Sequence, residues 1–210
     1  MLKKIINTLI SSFISGILIA IGGVVFLSTE SKYLGALAFA VGLFFIVEGG
    51  FKLYTGAIGY ALDNDKTTNF LLPVIVVGNF LGTFFVSGII HLTRIFDSIT
   101  LKANDLVAIK LNDSWFSVLI LAIMCGLLIY LGVNTFKKSN NNFSKVFAII
   151  ICVFVFIISS YEHCIANMFY ISIADAWSLK AFLYMLLMIL GNSIGGLLIP
   201  ALSKIIKITE

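Results

Sequence analysis

The chain has 210 residues, 60% of them hydrophobic and 11% charged, with a formal net charge of +4 and a mean hydropathy of +1.10. A soluble domain of this size cannot hide that much apolar surface, and the same figures exclude disordered, collagen-like and disulfide-rich chains. An all-α integral membrane protein remains, and at about 20 apolar residues per helical span the chain has room for about six spans.

The first expected span is Leu9–Ser28. Lys3 and Lys4 ahead of it resemble the start of a secretion signal, but the apolar run is span-length and lacks a small-x-small exit, so a retained helix is expected. The second, Tyr33–Leu62, is long and interrupted near Glu48–Thr55; the third is Asn69–Leu92. Trp115–Phe136 is the fourth. The fifth, Val146–Ala174, is again long and is interrupted at Ser159–His163, and Phe182–Ile206 is the sixth. The whole chain reads as a single transmembrane domain, 1–210, with 1–92 and 115–206 as two three-helix repeats.

With the N-terminus inside, the inner segments hold Lys3, Lys4, Lys66, Lys137, Lys138, Lys145, Lys204 and Lys207, against Lys32, Arg94, Lys102, Lys110 and Lys180 outside. That bias favours both termini on the cytoplasmic side of the cell membrane. The positive charge is thus a topology signal, and no basic stripe interleaved with aromatics suggests a nucleic-acid partner. Cys125, Cys152 and Cys164 fall inside spans, where thiols behave as small hydrophobes. No metal-ligand spacing is present, and neither metal nor cofactor is expected.

Two short strings repeat. "VVGNFLGTF", Val76–Phe84, and "ILGNSIGGL", Ile189–Leu197, both carry Gly-Asn-x-x-Gly deep in the third and sixth spans. Each follows an interrupted span, and three spans separate the copies, so they run in opposite directions. This is the pattern of an inverted repeat whose second and fifth helices break near the midplane. Glycine admits a close neighbouring helix, and asparagine can satisfy backbone groups freed by a neighbouring break.

The second interruption lies in "SSYEHCIANMFYI", Ser159–Ile171. An ionisable residue inside a membrane costs at least about 2.5–3.5 kcal/mol on insertion scales and is a functional candidate by default. His163 is the leading one, since a neutral imidazole can donate at one nitrogen and accept at the other. From periodicity alone it is equally a histidine satisfied by its neighbours.

"YEHCIANMF" closely resembles the fifth-span sequence of the formate/nitrite transporter family. "KLYTGAIG" resembles that family's Thr-containing loop, and "GNFLGTF" and "GNSIGGLL" resemble its two Gly-Asn motifs, all four in family order. The resemblance implies a homopentamer of aquaporin-like six-helix protomers in the lipid bilayer, each passing small monovalent anions or their conjugate acids. Formate is the first expectation, with nitrite, acetate and lactate possible; hydrosulfide conduction or a non-conducting, receptor-like member are the alternatives. By the same resemblance His163 is the central pore histidine, Thr55 the loop threonine that approaches it, Lys110 an outer-vestibule lysine and Asn167 the asparagine after the histidine. Phe39, Leu43 and Phe156 fall at apolar constrictions, and Leu53 and Tyr54 at the inner closure.

Two positions depart from the pattern. Gly126 stands where relatives commonly have asparagine, which implies a lost donor at the inner pore. Lys52 replaces the loop glutamate; four residues after Glu48, it could pair with that residue on one helix face. Glu162 is expected to cap N–H groups freed at the break. Lys110 is expected either to draw anions into a water-filled vestibule, an attraction that salt would screen, or to be a solvated loop lysine. An intramembrane enzyme is the rival class, but its candidate parts, Ser159, Ser160, His163 and Cys164, crowd one short break.

Overall fold

The computed structural model describes residues 1–209, with side chains to residue 206; the side chain of Lys207 lies outside the described residues. The helices are α1 (Leu2–Ser28), α2 (Lys32–Glu48), α3 (Tyr54–Ala57, continued by a 3₁₀ turn Ile58–Tyr60), α4 (Lys66–Asn69), α5 (Leu72–Ile90), α6 (Phe96–Asn112), α7 (Trp115–Lys138), α8 (Asn142–Ile158), α9 (Cys164–Ile173) and α10 (Leu179–Thr209). Four of the described stretches, Leu2–Ser28, Lys66–Ile90, Trp115–Lys138 and Leu179–Ile206, are long and apolar enough to cross a membrane, and α8 and α9 are shorter apolar helices. α1 packs on α5 and α2, α7 on α10 and α8, and α2 on α8.

The α1–α5 and α7–α10 contacts are built alike, from small residues that bring backbones together. A β-carbon on Gly16 would overlap the Asn79 carbonyl, and one on Gly82 would overlap the Phe13 carbonyl. On the other pair, Gly126 meets the Asn192 carbonyl and Gly195 the Ile123 carbonyl. Gly126 is therefore a helix-contact residue, and the expectation that it vacates a pore donor position is corrected. No side chain fits between α7 and α10 at that point.

Both interruptions end their helices in the same way. After α2, Gly50 adopts φ +67° and the Phe51 N–H bonds the Ile46 carbonyl at 2.9 Å. After α8, Ser160 adopts φ +55° and the Tyr161 N–H bonds the Phe156 carbonyl at 2.9 Å. These are Schellman endings, which satisfy late carbonyls through one left-handed residue. Glycine takes that conformation freely. Ser160 is held in it by Lys32, whose Nζ donates to the Ser160 hydroxyl and to the Ile158 carbonyl. Because α2 stops at Glu48 and Gly50 turns the chain, Glu48 and Lys52 do not share a helix face. Among the described residues they form no ion pair, which corrects that expectation.

The stretch between the third and fourth expected spans is helical. α6 buries Ile99, Ala103, Val107 and Lys110 along one stripe and packs on α9. Lys110 is thus a buried helical residue; the solvated-loop reading is corrected. Beyond the end of α5, His91 ties that helix to the turn after α9. Its Nδ1 donates to the Ser87 carbonyl at 2.7 Å and its Nε2 meets Asp175 Oδ2 at 3.1 Å.

Two outcomes are expected. Gly126→Ala should lose about 1–3 kcal/mol of stability through overpacking, while Gly88→Ala, with open space at its β-carbon, should lose none; thermal melts in detergent compare them. The hydrogen bond to Ser87 raises the pKa of His91 above its ordinary value of 6.5; Asp175 adds to the rise and burial opposes it. A raised folded pKa stabilises fully below the unfolded value and is lost as pH climbs through the folded one. The melting-temperature gap between the parent and His91→Gln should therefore be widest near about pH 5.5 and shrink toward about pH 8.5.

Candidate functional site

A break inside an apolar bundle frees backbone groups that lipid cannot satisfy. Two asparagines answer both breaks with the same bonds. Asn79 on α5 accepts from the Tyr54 N–H at 2.9 Å and donates to the Lys52 and Ser12 carbonyls at 3.0 and 2.8 Å. Asn192 on α10 accepts from the Cys164 N–H at 2.9 Å and donates to the Glu162 and Ala122 carbonyls at 2.8 and 2.7 Å. Each asparagine thus holds the first N–H of a half-helix, the carbonyl two residues before it, and a carbonyl of its own partner helix. The two Gly-Asn motifs are the fasteners of the two breaks.

The fastened ends bring α3 and α9 together. Thr55 Oγ1 and His163 Nε2 lie 2.9 Å apart, and both residues are buried. The second nitrogen decides the tautomer. His163 is the N-cap of α9, and its Nδ1 accepts from the Ala166 N–H at 3.1 Å. An N–H can only donate, so Nδ1 carries a lone pair; the proton of a neutral ring sits on Nε2 and is donated to Thr55 Oγ1. The capping role expected of Glu162 belongs to His163. On one side of the imidazole the Phe156 ring stacks at an interplanar angle of 25° with centroids 5.6 Å apart, and Phe39 meets Phe156 edge-on at 5.9 Å.

Glu162, next in the chain, takes a different partner set. Its Oε2 accepts from Lys110 Nζ and from Asn167 Nδ2, each at 2.6 Å, and Asn167 also reaches Met188 Sδ at 3.1 Å. The lysine and carboxylate side chains are only 10% and 5% exposed. Lys110 is therefore not a water-screened vestibule charge, and a screening response from it is no longer expected. A chain carbonyl also closes this region, since the Glu162 N–H bonds Leu121. Among the described residues, no fully buried side-chain nitrogen or oxygen of this group lacks a partner.

A cavity of about 490 Å³ opens on the side that carries Lys4, Asp63 and Lys137, and it ends against Leu43, Leu53 and Val133. His163 and Thr55 do not line it. Tyr54 does not line it, and its hydroxyl lies 2.7 Å from Ser193 on α10. Lys52 is among the residues that line the cavity.

Two broken helices meeting end to end at a buried polar contact, within apolar helices of membrane-crossing length, define an integral membrane protein of the channel or carrier class. Comparison with known proteins gives the family. The chain belongs to the formate/nitrite transporter family, whose sequence pattern it matches over residues 1–206, a family of transporters rather than enzymes. It is 28% identical over 188 residues to the formate channel FocA of Haemophilus influenzae, covering 76% of this chain and 65% of that one. It is 34% identical over 152 residues to the formate channel BtFdhC of Bacillus thuringiensis, covering 66% and 57%. The alignments span less than two thirds of either relative. Its fold superposes on a solved pentameric formate channel with formate bound at a TM-score of 0.83, covering 99% of each chain at 22% identity. A structure described as an FNT family ion channel gives 0.76 over 91% and 86% of the two chains, also at 22%. At those identities the likeness is one of fold.

The Lys110–Glu162 pair generates a test. Removing one partner of a buried pair strands the other charge, at a cost of about 3–5 kcal/mol, whereas replacing both is far milder. Lys110→Met should lower the detergent melting temperature sharply. Lys110→Met with Glu162→Gln, which keeps an acceptor for Asn167, should recover most of the loss.

Proposed function

We propose that the chain is one subunit of a homopentameric channel for small monovalent anions that cross as their conjugate weak acids, formate foremost. Six spans would be arranged as an inverted repeat with both termini cytoplasmic. The matched Asn79 and Asn192 bonds and the matched helix endings support the repeat, and the lysine bias supports the orientation.

One observation supports the mechanism: His163 Nδ1 accepts the Ala166 N–H of the α9 cap, which leaves the proton of a neutral ring to Nε2. Forming an imidazolium would require that cap bond to break. No carboxylate bonds the ring to offset a second charge, because Glu162 is taken by Lys110 and Asn167. A neutral ring between the Phe39–Phe156 pair and the Leu43–Leu53 side offers hydrogen bonds but no counter-charge. A bare anion would lose its hydration there at several kcal/mol. Desolvation raises the pKa of an approaching weak acid, and the protonated form can exchange bonds with Nε2–H and the Thr55 hydroxyl. Asn167 and Lys110 act in this scheme by holding Glu162, and hence the break, in place.

His163 also caps a helix, so its replacement must preserve that bond. Asparagine is a strong N-cap but is too short to reach Thr55. His163→Asn should keep the parent's oligomer size in detergent, while His163→Phe should lose about 1 kcal/mol of stability with the cap. In both, formate entry into proteoliposomes should fall about five- to a hundredfold, since a polar solute between apolar walls loses a partner worth ~1–3 kcal/mol. Parent-like flux through a well-assembled His163→Asn oligomer would leave the histidine a structural cap and contradict the scheme.

A further inference from the structure

Both breaks turn the chain through one left-handed residue, but the two residues differ. Gly50 takes φ +67° without steric cost. At the second break the residue is Ser160, at φ +55°. Its β-carbon disfavours that conformation by about five- to thirtyfold against the right-handed one. A contact from outside the turn must therefore hold it.

That contact comes from a residue 128 positions away. Lys32, the first residue of α2, reaches the end of α8 and donates from Nζ to the Ile158 carbonyl at 2.9 Å and to the Ser160 hydroxyl at 3.1 Å. Among the described residues it forms no ion pair. An ammonium group opposes the dipole of a helix that it begins and favours the dipole of a helix that it ends. Lys32 is thus poorly placed for α2 and well placed for α8, whose last carbonyls need donors.

The turn at Ser160 sets the geometry of the central site. The Tyr161 N–H bonds back to the Phe156 carbonyl at 2.9 Å. The ring of the same Phe156 stacks on His163 with centroids 5.6 Å apart. Backbone and ring close one short loop, Phe156 to His163, with Ser160 as its left-handed corner. Beyond the corner the chain is anchored, since the Glu162 N–H bonds the Leu121 carbonyl and the Glu162 carbonyl accepts from Asn192. A Ser160 that left the left-handed region would send the chain out of α8 in another direction, and the Phe156–His163 stack could not be kept with those anchors in place.

We infer that Lys32 is a positioning residue for the central site: by holding Ser160 left-handed from α2, it fixes where Phe156 and His163 stand relative to each other. It acts through Ser160 and not through its charge on a passing solute. The functional part of the inference rests on the weak-acid channel reading above.

The test pairs Lys32→Met with Ser160→Gly, because glycine holds the turn without help. Hydrogen–deuterium exchange on the detergent-solubilised protein, read by mass spectrometry, follows the backbone at residues 159–167, with residues 49–57 at the first break as the internal standard. Lys32→Met should speed exchange at 159–167 by about five- to thirtyfold and leave 49–57 unchanged. Adding Ser160→Gly should return the rate to near the parent's. Formate flux into proteoliposomes, scaled to the amount of assembled protein, should fall about fivefold or more in Lys32→Met and recover in the double variant, at low and high salt alike. Parent-like exchange in Lys32→Met, equal acceleration at both breaks, or parent-like flux through a loosened second break would each overturn the inference. So would flux that stays low in the double variant, because Lys32 would then act by its charge. A parent without flux contradicts the channel reading instead, and the exchange rates alone then decide whether Lys32 holds the turn.

Discussion

The whole arrangement depends on how backbone groups are satisfied where two helices stop inside an apolar bundle. Neither lipid nor a hydrocarbon core can bond the N–H and carbonyl groups released at residues 49–53 and 159–163. Asn79 and Asn192 supply those bonds from neighbouring helices, and they can do so because the α1–α5 and α7–α10 backbones touch at Gly16, Gly82, Gly126 and Gly195. Close packing therefore precedes the site. A side chain between either helix pair would move an asparagine away from its break, and the ends of α3 and α9 would no longer be held facing each other.

From this constraint the division of labour among the polar residues follows. His163 uses one nitrogen to start α9 and has the other left for Thr55. Glu162, one residue earlier, points to Lys110 and Asn167 and carries the ionic part of the break away from the imidazole. The protein thus keeps a charge pair and a neutral donor in adjacent residues without letting them mix. That separation leaves a neutral donor at the centre with the charge pair held aside.

Much of this was legible in the sequence, for physical reasons. A run such as "KVFAIIICVFVFII" followed by "SSYEHC" cannot continue as a lipid-facing helix, so the second break was visible, and the Gly-Asn repeats pointed to what fastens it. α6 was missed because Asp97, Lys102, Asn104 and Asp105 mask its stripe of Ile99, Ala103, Val107 and Lys110; that spacing was the available signal. The Lys110–Glu162 pair joins residues 52 positions apart, a distance that one sequence cannot bridge. Gly126 misled for the opposite reason. Its absent side chain reads as a loss in the pore, whereas the space belongs to the Asn192 backbone.

The claim that the neutral acid is what passes the imidazole is tested most directly by counting protons. Proteoliposomes loaded with a pH-sensitive dye and clamped at zero membrane potential should acidify inside by about one proton for each formate that enters, and setting a potential should not change the rate. Formate entry without acidification, driven by membrane potential, would mean that the anion crosses with its charge and would contradict the account.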